Sequence, residues 1–463
     1  MAGIGFKIGK ILAEDTFTAS LRAHFYSVII SSGPWLLSIL TIFCLNYFRP
    51  KTIDIFEAMY FRTTVIYIFA FSLIITGLFY LSLSRYLADK LYQKDPEALL
   101  PAFNSAALLL LAIQAVTGYF FFSGSMEAPI VLLSVLLYMA MSLLWLIMIF
   151  LTALRDYKSI AVAYAAGTVV AIAASLLFGS ITGLIGYFAG YLLGHLVIVM
   201  LLSLRIFTEF NSKRIFDRDL FTFMLRNKKL VFIGIFYNTA IWIDKMVFWA
   251  SDRAICVTPF LRSYPLYDSA VFFAYITIIP AISIFLIHVE TDFYKAYRRF
   301  YTEILGKGTY GAIKSAHQGM SESLKKSIFL LITCQGLITL IAVTFAPEFA
   351  GVLGLKSMAI PIFRITAMGA FLHSLLLVAI IVILYFDFQN LAVLVTAVFL
   401  VTNCLFTLAT VNLSIYFLGY GYFFSALFSL AIAFYAFNFK LNRVEYLTFA
   451  MQPLGIHREE EIV

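Results

Sequence analysis

The sequence predicts an all-α protein that crosses a membrane about twelve times. Of its 463 residues, 62% are hydrophobic and only 13% are charged, whereas a soluble domain of this length needs far more charge to cover its surface. The hydrophobic residues lie in runs of about 20, the length that spans a bilayer as a helix. Lysine and arginine concentrate in alternate loops between these runs, which is typical of a polytopic protein with a defined orientation.

Twelve apolar runs can be placed along the chain, six in each half. The first six lie near residues 25–47, 62–84, 101–123, 128–152, 160–179 and 182–204. The second six lie near residues 230–252, 267–290, 327–349, 359–386, 391–411 and 415–437. We expect one membrane-spanning helix from each run.

The basic residues orient these helices. With the N-terminus in the cytoplasm, 25 of the 33 Lys and Arg residues fall in cytoplasmic loops, the side on which positive loops are retained. The sequence therefore predicts a multi-pass protein of the inner (cytoplasmic) membrane with both termini cytoplasmic. The richest stretches, 205–229 and 291–326, suggest nucleic-acid binding at first sight. Topology signalling and contact with anionic lipids explain them without a further partner, so we expect no nucleic acid.

The basic stretch 205–229 also divides the chain. We predict an N-terminal lobe at 1–204, a cytoplasmic linker at 205–229 and a C-terminal lobe at 230–463, the arrangement of a transporter built from two six-helix lobes. Within residues 1–23, isoleucines and a leucine recur at helical spacing with charged residues on the other faces. That pattern predicts an amphipathic helix at the membrane interface.

The seventh run, YNTAIWIDKMVFW, contains the strongest candidate site, because an ionisable group inside a membrane is costly and needs a polar interior. Asp244 lies about 21 Å along this helix at 1.5 Å per residue. Adjacent helical residues point about 100° apart, so we expect Asp244 and Lys245 to address different neighbours and not to neutralise each other. Helical spacing predicts two faces: Asn238, Trp242 and Trp249 with Lys245, and Tyr237, Ala240 and Phe248 with Asp244.

Two interpretations of this run stay open. Aromatic rings beside charged groups suit a sugar chain, because rings stack on pyranose faces while polar groups bond the hydroxyls. Alternatively, Asp244 pairs with a basic residue of another span and the tryptophans face lipid. Under the first interpretation, the residues expected on a substrate path are Asp244, Lys245, Trp242, Trp249, Asn238, Tyr237 and Glu290.

Other ionisable residues lie near predicted span ends or packed between helices. Those near an end are better explained as anchors than as functional groups: Asp268, His288, Glu290, Arg364 and Asp387. His195 and His373 lie nearer the middle of their spans, where a satisfied histidine between helices is the commoner explanation and a proton relay the alternative.

Glycine and proline mark packing and bending positions. Gly186, Gly190 and Gly194 repeat at four-residue spacing in the sixth run, which predicts close helix packing. Gly33–Pro34 and Pro280 interrupt the first and eighth runs. Proline breaks or bends a helix and frees carbonyl groups, so these residues are candidate hinges.

Enzymatic chemistry is not indicated. Gly306–Thr309 superficially resembles part of a phosphate loop, but Tyr301 stands where the upstream glycine is required. There is no metal-spaced His/Cys/Glu set, and the four cysteines are scattered, three of them within apolar runs. We expect no cofactor, no metal and no catalytic residue.

With these residues in view, the sequence resembles the PelG family, the membrane transporter subunit of Pel exopolysaccharide export, within the multidrug, oligosaccharidyl-lipid and polysaccharide flippases. The resemblance runs end to end and rests on MAGIGFKIGKIL, SSGPW, YNTAIWIDKMVFW, YDSAVFFAYITIIP, HVETDFY, IFRITAMGAFLH and ILYFDF. It implies a MATE-like fold of two lobes that moves a polysaccharide or its precursor by alternating access. It also implies other Pel inner-membrane subunits and a cytoplasmic glycosyltransferase as partners, and a partly deacetylated amino-sugar polymer as substrate.

The leading functional hypothesis is therefore export of Pel-type polysaccharide through a path lined by the seventh span. A second hypothesis is an assembly scaffold that anchors the polysaccharide synthase and transports nothing, motivated by the basic loops. A third is a cation-coupled drug antiporter, motivated by carboxylates within the membrane. The family resemblance assigns no site residues, so the path stays an inference from residue chemistry.

Overall fold

Long helices form nearly all of the regular structure in the computed structural model, which describes residues 37–38, 40–124, 126–154 and 157–450 together with residues 16, 18 and 22. Residues 37–38 and 40–47 are helical and belong to the first predicted span. The remainder of that span, nearly all of the predicted helix at 1–23, and the candidate hinge Gly33–Pro34 lie outside the described residues.

Five long helices follow residues 40–47: α1 (Ile55–Tyr92), α2 (Leu99–Ser123), α3 (Ala128–Leu154), α4 (Tyr157–Thr182) and α5 (Leu184–Glu209). A 3₁₀ turn, Pro96–Ala98, precedes α2. Asp54 caps α1, because its carboxylate accepts the Glu57 backbone N–H at 2.7 Å while the Glu57 carboxylate accepts the Asp54 N–H at 2.9 Å. Gly183 alone separates α4 from α5, with a φ of +63° that favours glycine.

The rest of the described chain continues with α6 (Asp219–Arg226), α7 (Lys228–Ala250), α8 (Pro265–Ile276), α9 (Ile279–Ile287), α10 (Tyr294–Leu305), α11 (Tyr310–Thr344), α12 (Ala346–Leu353), α13 (Ala359–Tyr385), α14 (Gln389–Thr410), α15 (Tyr420–Leu441) and α16 (Val444–Ala450). A π-helical segment, His288–Phe293, joins α9 to α10, and a 3₁₀ turn, Ile415–Phe417, precedes α15. After α7, β1 (Ile255–Cys256) and β2 (Arg262–Ser263) pair antiparallel, with Ile255 opposite Ser263.

Eleven described helical segments are long and apolar enough to cross a membrane, and they coincide with the second to twelfth predicted spans. The prediction of an all-α polytopic membrane protein is confirmed. Several helices extend past the run that predicted them: α1 covers Ile55–Tyr92, against 62–84, and α11 begins at Tyr310, against 327. An apolar run marks only the lipid-embedded part of a helix, whereas polar end turns continue the same backbone hydrogen bonding.

The glycines of α5 pack directly on the backbone of α4. A Cβ on Gly190 would lie 2.2 Å from the backbone nitrogen of Ser175, and a Cβ on Gly194 would lie 2.3 Å from the Ala171 Cβ. No side chain fits at either position, so the glycines let the two helices touch. The close packing predicted from their four-residue spacing is confirmed.

Helix α1 also contacts α7 at two levels. Near the Lys228 end of α7, a Cβ on Gly234 would lie 2.2 Å from the Gly77 carbonyl oxygen, and a Cβ on Gly77 would lie 2.6 Å from the Asn238 side-chain nitrogen. Near the Ala250 end, the rings of Tyr67 and Trp249 stack with centroids 4.4 Å apart. The first and second halves of the chain therefore meet along most of α7.

The segment between α5 and α7 is hydrogen-bonded to helices of the first half of the chain. The Asn104 side chain donates to the Ile215 carbonyl at 3.1 Å, and the Asp217 backbone N–H donates to the Ser105 hydroxyl at 2.8 Å. The Tyr86 hydroxyl donates to the Asp217 carboxylate at 2.5 Å. The part of this segment up to residue 217 is thus bonded to the ends of α1 and α2.

The eighth predicted span is broken, as the proline predicted. Helix α8 ends at Ile276, and α9 begins at Ile279 with Pro280 in its first turn. The carbonyl of Thr277, in the break, accepts a hydrogen bond from the Gln335 side-chain amide of α11 at 2.7 Å. The neighbouring helix therefore satisfies the carbonyl that the break frees. The role of Pro280 as a hinge stays a prediction.

Candidate functional site

Asp244 and Lys245 form a buried ion pair in the second half of α7, toward its Ala250 end. The two residues are 0% and 6% exposed, and the Lys245 Nζ lies 3.1 and 3.2 Å from the two Asp244 carboxylate oxygens. The expectation that adjacent helical residues would not neutralise each other was wrong. Consecutive Cα atoms are only about 3.8 Å apart, so the flexible four-carbon stem of lysine curls back across the angle that separates the two side chains.

The Lys245 ammonium is held on several sides. It donates to the Ile241 carbonyl at 2.8 Å, one turn earlier in α7, and to the Tyr275 hydroxyl of α8 at 3.2 Å. Three rings surround it, with centroids 4.7 Å away for Tyr275, 5.7 Å for Trp242 and 5.9 Å for Tyr422. We call these three rings the aromatic cage. A desolvated ammonium against ring faces gains cation–π attraction in addition to its hydrogen bonds.

The charged pair continues into hydrogen bonds with other helices. The Tyr267 hydroxyl of α8 donates to the Asp244 carboxylate at 2.7 Å. His373 of α13 bridges two tyrosines, with Nε2 3.0 Å from the Tyr237 hydroxyl and Nδ1 2.9 Å from the Tyr422 hydroxyl. The prediction that His373 is a satisfied histidine between helices is confirmed. Tyr237, predicted to share a face with Asp244, makes its hydrogen bond to His373.

Trp249 connects this polar region with α1. Its indole N–H donates to both Asp268 carboxylate oxygens at 3.0 and 3.1 Å, while its ring stacks on Tyr67 and lies 6.3 Å from the Trp242 ring. Asp268 also accepts the Tyr264 backbone N–H at 3.1 Å, which fits its predicted role at a helix end. The Trp242 indole nitrogen is buried without a hydrogen-bond partner among the described residues.

Asn238 lies where α7 crosses α1, next to Gly77. It precedes Lys245 by seven residues, about two helical turns, and its place on the Lys245 face stays a prediction. At the level of Ala240, the side chain of the buried Asn403 of α14 donates to the Ala240 carbonyl at 2.8 Å. Polar groups from three other helices thus bond to the middle of α7.

The other candidates are dispersed. Glu290 lies in the π-helical segment, and its side chain is not among those that the structure describes. His288 bonds Asp292 at 3.4 Å, Arg364 donates to the Val343 carbonyl at 3.1 Å, and His195 bonds the Tyr191 carbonyl of its own helix at 2.9 Å. Asp387 forms an ion pair with Arg85 at 3.0 Å. None of these contacts joins the Asp244 site.

The sequence did not indicate the partners of the ion pair. Tyr267, Tyr275 and Tyr422 each lie in an apolar stretch rich in aromatic residues, so no spacing sets them apart. The segment YDSAVFFAY was available as a signal, because its first and last tyrosines lie eight residues apart and therefore on one face of a helix. That face of α8 is the one that contacts Asp244 and Lys245.

The chemistry of the site is suited to binding a polar molecule with flat apolar faces. No group of three or more His, Cys, Asp or Glu side chains in the described parts of the chain is arranged to hold a metal ion. The pair is electrically neutral and the rings present flat apolar faces beside hydroxyl and carboxylate groups. Such a surface can stack on a sugar ring and bond its polar substituents.

Residues 1–449 match PelG, described as a candidate exopolysaccharide exporter (EPS-E). The chain belongs to the PelG family. No curated protein is significantly similar in sequence. Family and fold are those of transporters and not of enzymes.

Solved structures of MATE transporters have the same fold as this PelG family member. A crystal structure of a MATE point mutant superposes with a TM-score of 0.60 at 13% identity, covering 91% of this chain and 96% of that chain. A transporter of the MOP superfamily from Pyrococcus furiosus gives 0.57 at 14%, covering 92% and 96%. An inward-facing multidrug resistance MATE transporter also gives 0.57 at 14%, covering 91% and 99%. The predicted MATE-like architecture is confirmed.

Proposed function

We propose that this protein exports a Pel-type exopolysaccharide, or its precursor, across the inner membrane by alternating access. The observation that carries the proposal is the PelG family match over residues 1–449, and the MATE fold supports it. The moving parts would be the lobes 1–204 and 230–463, joined by the linker 205–229. Both lobes contribute to the boundary at which α1 meets α7.

The substrate path would run beside that boundary. Trp242 would offer a ring face to pyranose rings, and the Asp244–Lys245 pair would offer hydrogen-bonding groups next to it. Trp249, buried against Tyr67 here, would line the path once α1 moves away from it. Tyr237 and Asn238 would extend the path toward the Lys228 end of α7, and Glu290 would lie farther along. Stacking of this kind holds a sugar chain without fixing it, because ring faces repeat from one sugar to the next.

The basic segments would face the cytoplasm, with both termini on that side. The stretches 205–229 and 291–326 would contact anionic lipids and would dock the other Pel inner-membrane subunits and the cytoplasmic glycosyltransferase that supplies the polymer. Helix α10 supports a docking role, because three of its twelve residues are basic: Lys295, Arg298 and Arg299.

The experiment is complementation of cells that lack the protein with wild type or with Asp244→Asn. Secreted polymer is measured, and the amount of the variant in the membrane is quantified in parallel. We expect secretion per amount of protein in the membrane to fall at least tenfold, with the variant present at a lower level than wild type because it leaves the buried Lys245 unpaired. Normal secretion by Asp244→Asn at a normal protein level would exclude Asp244 from the path.

A cation-coupled drug antiporter is the second candidate, favoured by the likeness to multidrug resistance MATE transporters. At 14% identity that likeness shows the fold alone. Purified protein in liposomes distinguishes the possibilities. Polysaccharide-dependent flux supports the export proposal, drug flux driven by a cation gradient supports the antiporter, and no flux of either kind supports a scaffold that anchors the synthase.

A further inference from the structure

A β-hairpin (residues 255–263) follows α7 and reaches from the second half of the chain to the first. Its strands pair with Cys256 opposite Arg262, and beside the turn the Val257 N–H donates to the Leu261 carbonyl at 2.9 Å. Bonded and non-bonded pairs alternate along an antiparallel ladder. The Cys256–Arg262 pair is therefore a non-bonded one, so the N–H and the carbonyl of Arg262 point away from β1 at an open edge of the hairpin.

The Tyr67 hydroxyl of α1 occupies this open edge. It donates to the Arg262 carbonyl at 3.0 Å and accepts the Arg262 N–H at 3.2 Å. One side chain thus satisfies both backbone groups, as a third strand would. The Tyr67 ring is 6% exposed and stacks on Trp249 at 4.4 Å and on Phe121 of α2 at 5.8 Å. Tyr67 is therefore the residue of the first half that contacts both the hairpin and the end of α7.

The turn of the hairpin makes a second contact with the first half. The Phe260 ring covers Gly124 at the end of α2, where a Cβ would lie 2.6 Å from the ring. Its centroid is 6.5 Å from that of Phe121. Phe260 is 54% exposed, so separation of this contact would uncover little further surface.

The hairpin is bonded more extensively to the second half. The Arg253 guanidinium, just before β1, donates to two backbone carbonyls of the α14–α15 loop at 2.7 and 3.1 Å, and a charged donor strengthens both bonds. The Asp268 carboxylate of α8 accepts hydrogen bonds from residues 263 and 264 at 3.4 and 3.1 Å. If the two halves separate, the hairpin should therefore move with the second half, and its contacts with α1 and α2 should break.

We propose that the hairpin is a gate that closes the boundary between the two lobes at the Ala250 end of α7, and that the Tyr67 hydroxyl is its latch. Release of the latch frees the Trp249 ring to line the path. The gate rests on the lobe movement of the proposed function, whereas the latch rests on the two hydrogen bonds to Arg262. In the proposed orientation this end of α7 faces away from the cytoplasm, so the gate controls the release of the exported chain.

The first test measures how often the boundary opens. Ala70 is 0% exposed and lies three residues after Tyr67 and seven before Gly77, so it shares the face of α1 that contacts α7. Ala70→Cys is introduced into the full-length protein with its four native cysteines replaced by serine, and the purified protein is treated with a methanethiosulfonate reagent. The modification rate follows the open population when closing is fast. We expect Tyr67→Phe, which keeps both ring contacts, to raise this rate about tenfold, because it removes two hydrogen bonds of ordinary strength.

Tyr187→Phe is the matched control. The Tyr187 hydroxyl donates to the Leu45 carbonyl at 2.5 Å, a buried hydrogen bond that lies within the first half. Its loss should lower Tm and leave the modification rate unchanged, whereas Phe260→Ala should raise the rate as Tyr67→Phe does. A rate for Tyr67→Phe within about twofold of the unaltered latch, or an equal rise for Tyr187→Phe, would overturn the latch.

The second test keeps Tyr67 in place. Gly124→Cys and Phe260→Cys, in the same background without native cysteines, are linked in cells by a short bifunctional methanethiosulfonate reagent. We expect the link to reduce polymer secretion at least tenfold and its chemical reduction to restore secretion. Asp252→Cys with Asn412→Cys, both exposed and both in the second half, is the control pair. Its link should leave secretion unchanged, which also controls for effects of the reagent on the cell.

The gate and the export proposal fail in different ways. Normal secretion with the Gly124–Phe260 pair linked would overturn the gate and leave export standing. Faster modification in the Tyr67→Phe variant of a protein that moves no polysaccharide in liposomes would overturn export and leave the latch.

Discussion

Gly234 of α7 and Gly77 of α1 touch backbone to backbone: a Cβ on Gly234 would lie 2.2 Å from the Gly77 carbonyl oxygen. We predict that Gly234→Ala lowers the stability of the purified protein by about 1–3 kcal/mol, because the extra methyl group overpacks a contact that has no flexible partner. Thermal unfolding in detergent measures the change. Polymer secretion should fall with it, since α1 and α7 can no longer approach each other.

Gly319 in α11 provides the matched control. A Cβ there would meet no atom within 4 Å, so Gly319→Ala should be neutral or stabilising by up to about 1 kcal/mol through helix propensity alone. Equal Tm values for the Gly234→Ala and Gly319→Ala variants would show that the α1–α7 contact is not tight.

The buried ion pair should behave as a unit. Asp244→Asn or Lys245→Met alone leaves one uncompensated charge, so each should cost about 3–5 kcal/mol. The double variant should cost no more than either single change, because it leaves no charge behind. A double-mutant cycle on thermal unfolding measures this coupling.

The exposed pair Arg205–Glu209 on α5, at 3.4 Å, serves as the comparison. Glu209→Gln should cost less than about 1 kcal/mol, since water screens that pair. If the losses of stability caused by Asp244→Asn and Lys245→Met were additive, the two residues would not be coupled as a buried ion pair.

The ion pair between Arg85 of α1 and Asp387 in the α13–α14 turn joins the two halves of the chain at 3.0 Å. Both side chains are about half exposed, 45% and 55%, so the pair is worth at most about 1 kcal/mol. Arg85→Ala should therefore shift the balance between two transport conformations by no more than about fivefold. Pulsed electron paramagnetic resonance measures the distance between spin labels at Lys94 and Asn390, both of which are exposed. The distance distribution gives the populations of the two conformations.

Restoration of the wild-type populations by the reversed pair Arg85→Asp with Asp387→Arg would confirm that the contact acts through charge. A complete collapse into one conformation on Arg85→Ala alone is larger than an exposed pair can produce, and would assign Arg85 a different role.

Gln335 holds the break between α8 and α9. Gln335→Leu leaves the Thr277 carbonyl without its donor at 2.7 Å, and an unsatisfied buried carbonyl costs about 1–3 kcal/mol. Tm should fall accordingly. Thr333→Val on the same helix is the control, because the exposed Thr333 hydroxyl bonds the Phe329 carbonyl one turn away and no other group among the described residues. A Tm loss as large as that of Gln335→Leu would argue against a specific role for Gln335.

The fold was predictable because the membrane imposes it. Backbone groups in lipid must bond within the same segment, so each long apolar run becomes a helix. The described helices match eleven of the runs, and the proline in the eighth run marked its break. Helix ends were less predictable: the end turns of α1 and α11 are polar and carry no apolar signal.

The site was predictable only in its charged members. Asp244 and Lys245 were conspicuous because charges are rare inside apolar runs. Their mutual contact was missed because the angle between adjacent side chains was weighed without the length of the lysine stem. Tyr275 and Tyr422 come from other helices, and no single-helix pattern specifies which helix will lie beside α7. Gly77 and Gly234 are each the only glycine in their helix, so no repeated glycine spacing predicted the contact between them.

The bonds that hold Ile215 and Asp217 against the first half of the chain fix how far the halves can separate at that face of the molecule. Only ten residues, from Arg218 to Asn227, remain between these bonds and α7, and most of them form α6. As a helix, eight residues span about 12 Å, whereas ten extended residues reach about 33 Å. The short helix α6 therefore limits the distance between Asp217 and the start of α7. A separation wider than the folded length of α6 requires this helix to unwind first.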